Sequence, residues 1–165
     1  MTDATARLAL PFILPGQAQK ELFHNEALTL IDGLLHAAVE GSPLAAPPPA
    51  PAAGQCWVVA AAASGAWSGR DHFLASYTEG GWRFSAPVAG MLVWSKAAGH
   101  WLHWNGTGWS SGSLPASGLV VAGQQVVGAR QPAVPTPSGG TIIDVEARAA
   151  ITSLIVTLRS HGLIE

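Results

Sequence analysis

At 165 residues the chain has room for one modest domain with appendages, large enough to fold around a core without staples. A net charge of −2 and a charged fraction of 11% leave no basic face to neutralise phosphates, so nucleic acid is excluded as an expected partner. The single Cys56 cannot form an internal disulfide, and 19 Gly and 12 Pro beside so few charges imply a chain that is either very compact or partly covered by other subunits.

The N-terminal MTDATARLALPFILPG has no basic region and is interrupted by Pro11 and Pro15, so no secretory signal is expected. No window reaches the roughly 18 uninterrupted apolar residues of a membrane span. The two prolines forbid a helix interior and predict an extended arm over 1–15. From Gly16 to about Val39 the period becomes helical: Phe23, Ala27, Leu30, Ile31, Leu34, Leu35 and Ala38 form one apolar stripe, opposite Lys20, Glu21, His24, Asn25, Asp32 and His36. Gly41 ends this segment, and SPLAAPPPAPAAG predicts a stiff, mostly polyproline linker over 42–54.

A tryptophan-rich β block follows, with strands expected near 55–62, 72–77, 82–86, 91–95, 100–104 and 108–111 and turns at Ser64-Gly65, Glu79-Gly80-Gly81, Lys96 to Gly99 and Asn105-Gly106. The block repeats itself at an offset of 27 residues, Trp67-Ser68 falling on Trp94-Ser95, Tyr77 on Trp104, and Gly81-Trp82 on Gly108-Trp109. YTEGGW and WNGTGW each read as a hairpin tip clamped by an aromatic pair. Residues 112–140 carry no period and read as a long connection, with LVVAGQQVV as one further strand inside it. A second helix occupies 141–165, capped by Asp144, with Glu146 in its first turn, Arg159 and His161 in its last and Gly162 as its stop. Its stripe of Ala147, Ile151, Leu154, Ile155 and Leu158 packs either on its own chain or against copies of itself. The fold class is therefore α+β, with five parts: arm and helix for assembly or docking (1–41), linker (42–54), β module (55–111), connection (112–140) and C-terminal amphipathic helix (141–165).

No constellation in the chain predicts catalysis, a metal or a cofactor. His24 and His36 are about 120° out of phase on a straight helix, and His100 and His103 point to opposite faces of a strand. The serines sit in turn-rich sequence without a GxSxG elbow, and Asp71 and Glu79 are the only carboxylates of the β block. Seven tryptophans remain to be explained: they fill a thin core and clamp hairpins, or they stack on sugar rings. For the second role the candidates are Trp67, Arg70 and Asp71 in the SGAWSGRD loop, with Trp101 and His103.

The stretch LPFILPGQAQKELFHNEALTLIDGLLHAAV resembles the opening signature of an uncharacterised domain family of prophages and gene transfer agent clusters in alphaproteobacteria, in which a Gly-Gln-Ala-Gln-Lys-Glu run leads into His-Asn-Glu-Ala-Leu. PAAGQCWVVAAAASGAWSG, EGGWRFSAPVAGMLVW and EARAAITSLIVTLRSHGLIE are similar to later parts of such proteins. The resemblance implies a virion component of head spikes or tail fibres, whose partners are other virion proteins and host surface polysaccharide; the low charge, the apolar arm and the C-terminal seam add copies of itself, as a trimer or pentamer, and without a signal the chain is expected to be made in the bacterial cytoplasm. It brings no catalytic residues. Gln17, Gln19, Lys20, His24, Asn25 and Glu26 match its signature and are candidates for an assembly contact, or for capping and buttressing the helix. Relatives with further sequence after this module make a base or adaptor the expectation for a chain ending at Glu165, with Ile151, Leu154, Ile155 and Leu158 as a candidate oligomer seam. The alternative reading is a carbohydrate-binding module.

Overall fold

The computed structural model describes residues 3–13, 16, 20–141 and 144–165. The fold is α+β: α1 (Lys20–Leu34), β1 (Ala38–Val39), β2 (Cys56–Val58), a 3-10 turn (Gly65–Trp67), β3 (Leu74–Thr78), β4 (Gly81–Ser85), β5 (Leu92–Ser95), β6 (His100–Trp104), β7 (Trp109–Ser111), β8 (Leu119–Val121), β9 (Gln124–Val127) and α2 (Val145–Ser160). The chain divides into two compact units, Met1–Leu114 and Pro115–Glu165.

In the first unit the β block is a pair of three-stranded antiparallel meanders, β2-β3-β4 and β5-β6-β7. Both expected aromatic clamps are present. Tyr77 is the register partner of Trp82, ring centroids 4.9 Å apart, and Trp104 that of Trp109 at 5.5 Å. Thr78 and Gly81 close the first tip, Gly81 at φ 94°, where a side chain would strain the backbone. At the second tip the Asn105 carboxamide oxygen accepts from the backbone N–H groups of Thr107 and Gly108, both at 2.9 Å. The 27-residue offset holds for the second and third strands and fails in the first. Trp67 lies in the 3-10 turn and not in a strand, and the register places Trp57 on Val93 and Val58 on Trp94, an offset of 36. The β2–β3 connection is the longer one because it carries that turn.

One extended segment borders both meanders. β1 runs parallel to β5, Ala38 beside Trp94 and Val39 beside Ser95. The chain then passes to β2: the Glu40 N–H donates to the Cys56 carbonyl at 2.9 Å and the Leu44 N–H to that of Val58 at 3.1 Å. The proline-rich stretch 42–54 thus lies within the first unit, and Pro47, Pro48, Pro49 and Pro51, which lack an N–H, come after Ala45, whose carbonyl accepts from Ser64. Alternation along β2 sends Cys56 and Val58 into a core with Ala37, Val39, Leu74, Val93 and Leu102, and Trp57 into a second cluster with Val59, Trp67 and Ala75. Each meander therefore presents two faces, and the inner face of the second packs on the first.

The N-terminal arm departs from the extended form expected. Ala4 bridges Pro11, the Thr5 N–H donates to the Leu10 carbonyl and the Phe12 N–H to that of Asp3, so residues 3–12 fold back as a loop. α1 also stops earlier than its apolar period. His36 takes φ 49°, the chain turns, and Ala38 enters β1 instead of extending the stripe.

In the second unit LVVAGQQVV forms the two-stranded hairpin β8-β9 and not a single strand, because Ala122 and Gly123 both take positive φ at its tip. Asp144 caps α2 by accepting from the Ala147 N–H at 2.8 Å, and the chain end returns so that Ile164 bridges Gln131.

Candidate functional site

α1 packs inward through its polar side. At 100° per residue Asn25, Thr29 and Asp32 share one side of the helix, while Phe23, Leu30 and Leu34 fall within about 40° of each other on the opposite one. The arm takes the polar side. Asp32, 5% exposed, accepts from the Thr5 hydroxyl at 2.9 Å, the Arg7 N–H at 3.0 Å and the Leu8 N–H at 2.6 Å. Asn25 exchanges both carboxamide groups with the backbone of Ile13, at 3.0 and 3.1 Å. The Arg7 guanidinium donates to the carbonyls of Asp32 and His36 at the end of α1, a cationic cap on its negative pole.

The first meander takes the rest. Glu26 and Arg83 form a bidentate pair at 2.6 and 2.8 Å, and this hydrogen bonding, against some desolvation, holds the Glu26 carboxyl below its usual range. Gly33 sits so close that a Cβ there would lie 3.0 Å from the Ser76 hydroxyl. A cavity of about 560 Å³ remains between arm, α1 and first meander, lined in part by Thr5, Phe12, Leu22 and Tyr77. The consequence for the other side is plain. Phe23 is 82% exposed, and Leu30, Ile31, Leu34 and Leu35 are exposed beside it.

Of the candidate assembly residues, Asn25 and Glu26 are thus committed to buttressing the helix. Lys20 and His24 are exposed, joined by a 2.9 Å contact from the His24 ring to the Lys20 carbonyl, and Gln17 and Gln19 lie outside the described residues. The candidate sugar-binding set does not hold together. Trp67 is fully buried, edge-on to Trp82 at 5.0 Å, because the 3-10 turn folds it under the first meander. Arg70 lies over the rings of Phe73 and Phe84, and Asp71 accepts from the N–H groups of Ala62 and Ala63, which holds its carboxyl below the usual range.

Trp101 and His103 belong elsewhere, on the outer face of the second meander. Register pairs Trp101 with Trp94, His103 with Leu92 and with Ser110, and Ala38 with Trp94, so these six side chains share one face. Leu92, Trp94 and Trp101 are exposed, the two indoles edge to face at 5.2 Å. Trp94 and Leu92 escaped the sequence reading, although large apolar residues at alternate positions opposite another tryptophan were the available signal. On α2, Ile155 is buried and Ile151, Leu154 and Leu158 are exposed, so the C-terminal seam is engaged within the chain at one position.

Among the described residues no group of three or more His, Cys, Asp and Glu gathers to hold a metal ion, and no helix is long and apolar enough to cross a membrane. The model of a family described as a protein of unknown function, DUF2793, matches residues 24–110. The chain belongs to the DUF2793 family. This is the coarse level of the resemblance read from the sequence, an uncharacterised domain family. The DUF2793 match begins in α1 and ends in β7, taking in both meanders and the segment that joins them. No curated protein matches the chain.

Proposed function

We propose that this DUF2793 chain is a non-enzymatic structural protein that self-associates, serving as the base or adaptor of a head spike or tail fibre on a phage-like particle or gene transfer agent and so supporting host-surface attachment. The observation that carries the self-association is the outward apolar side of α1. Phe23 is 82% exposed and Leu30, Ile31 and Leu34 are exposed beside it, and covering them with another copy would remove that apolar surface from water. The low surface charge and the resemblance of the N-terminal signature to virion-associated sequences support the rest of the reading.

A second reading, a carbohydrate-binding module, draws on the exposed Trp94 and Trp101. It is the weaker one, because a sugar needs polar groups to fix its hydroxyls, and on this face the register sets His103 and Ser110 beside a mainly apolar patch. Sedimentation velocity of the full chain across a concentration series tests the first reading: a discrete oligomer is expected, and a monomer at every concentration would overturn it. Titration with purified bacterial surface polysaccharide tests the second, which requires a tryptophan fluorescence change that Trp101→Ala abolishes.

A further inference from the structure

The cavity between the arm, α1 and the first meander, about 560 Å³, falls within the range of about 300–1,000 Å³ typical of pockets that hold small ligands. Its apolar wall is assembled from three parts of the chain: Phe12 and Ile13 of the arm, Leu22 of α1 and Tyr77 of β3. A space of this kind, closed by elements distant in sequence, is where a bound molecule would touch all of them at once.

α1 contributes five polar side chains to the wall, and four of them are engaged. Asn25 is tied to the backbone of Ile13, and the Thr29 hydroxyl donates to the Asn25 carbonyl at 2.7 Å. Both carboxylate oxygens of Asp32 accept from the arm, and both of Glu26 from Arg83. Glu21 is the fifth. At 100° per residue it falls within about 40° of Asn25 and Asp32, on the side of α1 that packs inward. Its Oε2 is shielded from solvent and has no hydrogen-bond partner among the described residues. An acceptor withdrawn from water and left unpaired is destabilising, and an occupant of the cavity that brings a donor to it relieves that penalty.

Charge narrows the kind of donor. Asp3, Glu21, Glu26, Asp32 and Glu79 line the cavity against two arginines, so the lining carries an excess of negative charge. Both arginines are already held, Arg83 by Glu26 and Arg7 by the carbonyls at the end of α1. An anionic occupant would meet the acidic excess, and a neutral one would leave it uncompensated. An ammonium group answers both the charge and the unpaired oxygen, through a charge-assisted hydrogen bond.

We propose that the cavity is a binding site for a small organic ammonium ion, its N–H donating to Glu21 Oε2 and its apolar body lying against Phe12, Leu22 and Tyr77. Because the walls come from arm, helix and sheet, occupancy also fastens the arm loop to the first meander and stabilises the folded chain as the ligand concentration rises. The site is independent of the self-association proposed above, and a monomeric chain would retain it.

Calorimetric titration of the full chain tests the site directly. The probes are 2-phenylethylammonium and hexylammonium, beside 2-phenylethanol and 3-phenylpropionate, which keep the phenylethyl body and replace the ammonium group with a hydroxyl or a carboxylate. One ammonium ion should bind per chain, about tenfold or more tighter than the alcohol, and the carboxylate should not bind. The thermal midpoint should rise with the concentration of the ammonium probe and not with that of the carboxylate. Glu21→Gln keeps the shape and removes the charge, so it should weaken the ammonium probe about tenfold while near-ultraviolet circular dichroism stays unchanged. Failure of both ammonium probes to bind at millimolar concentration would overturn the proposal, as would equal affinity for the alcohol or a Glu21→Gln chain that binds as tightly as the natural one. Should Glu21→Gln not fold, the order of the three phenylethyl probes on the natural chain decides: ammonium above alcohol above carboxylate supports the site, and any other order contradicts it.

Discussion

Asp32 sets the orientation of α1 with a single carboxylate. Its three donors come from the arm loop, so the loop and the helix side facing it form together or not at all. Asp32→Asn keeps the shape and replaces one acceptor oxygen with an amino group aimed at N–H or O–H donors; a loss of about 1–3 kcal/mol is expected in urea unfolding. The Glu26–Arg83 pair acts more weakly because both partners are half in solvent, on the order of 0.5 kcal/mol. The Glu26 carboxyl is depressed in the folded chain, so this contribution is present above the ordinary glutamate value of 4.5 and fades as pH falls through the lower folded value. The stability difference between the natural chain and Glu26→Gln should therefore be measurable at pH 7 and shrink as the pH is lowered below 4.5. In the sequence Asp32 reads as one residue of the polar side of the helix, and Trp67 as a loop residue placed to stack on a sugar. Spacing along a helix or a glycine-rich loop carries no sign of what the rest of the chain lays over it, and in both cases the cover comes from residues distant in sequence.

At the scale of elements, periodicity gives contrast without direction. The stripe of α1 and the polar side opposite are both legible in the sequence, and which of them turns inward is decided by the arm loop and by Arg83. The hairpin tips are more fully legible, because Tyr77 with Trp82 and Trp104 with Trp109 pair across turns short enough to fix their register. The outer face of the second meander is legible only after that register is known, since Trp94 and Trp101 come together across strands. On α2 the seam is buried at Ile155 and exposed at Ile151, Leu154 and Leu158. Ile155→Ala should cost about 2–4 kcal/mol by opening a cavity, and Leu154→Ala under about 0.5 kcal/mol, in thermal unfolding of the dilute full chain. Equal losses at the two positions would mean that Leu154 is covered as well.

At the scale of the molecule, the first unit combines two meanders whose inner packing repeats one face against the next, and a helix that shows its apolar side to solvent. On the reading proposed above, such a chain is finished by copies of itself. Light scattering on the full chain beside Leu30→Glu/Leu34→Glu tests this most directly. The natural chain should have the mass of a discrete oligomer and the variant that of a folded monomer. A natural chain that is monomeric, or a folded variant that keeps the oligomer mass, would contradict the account.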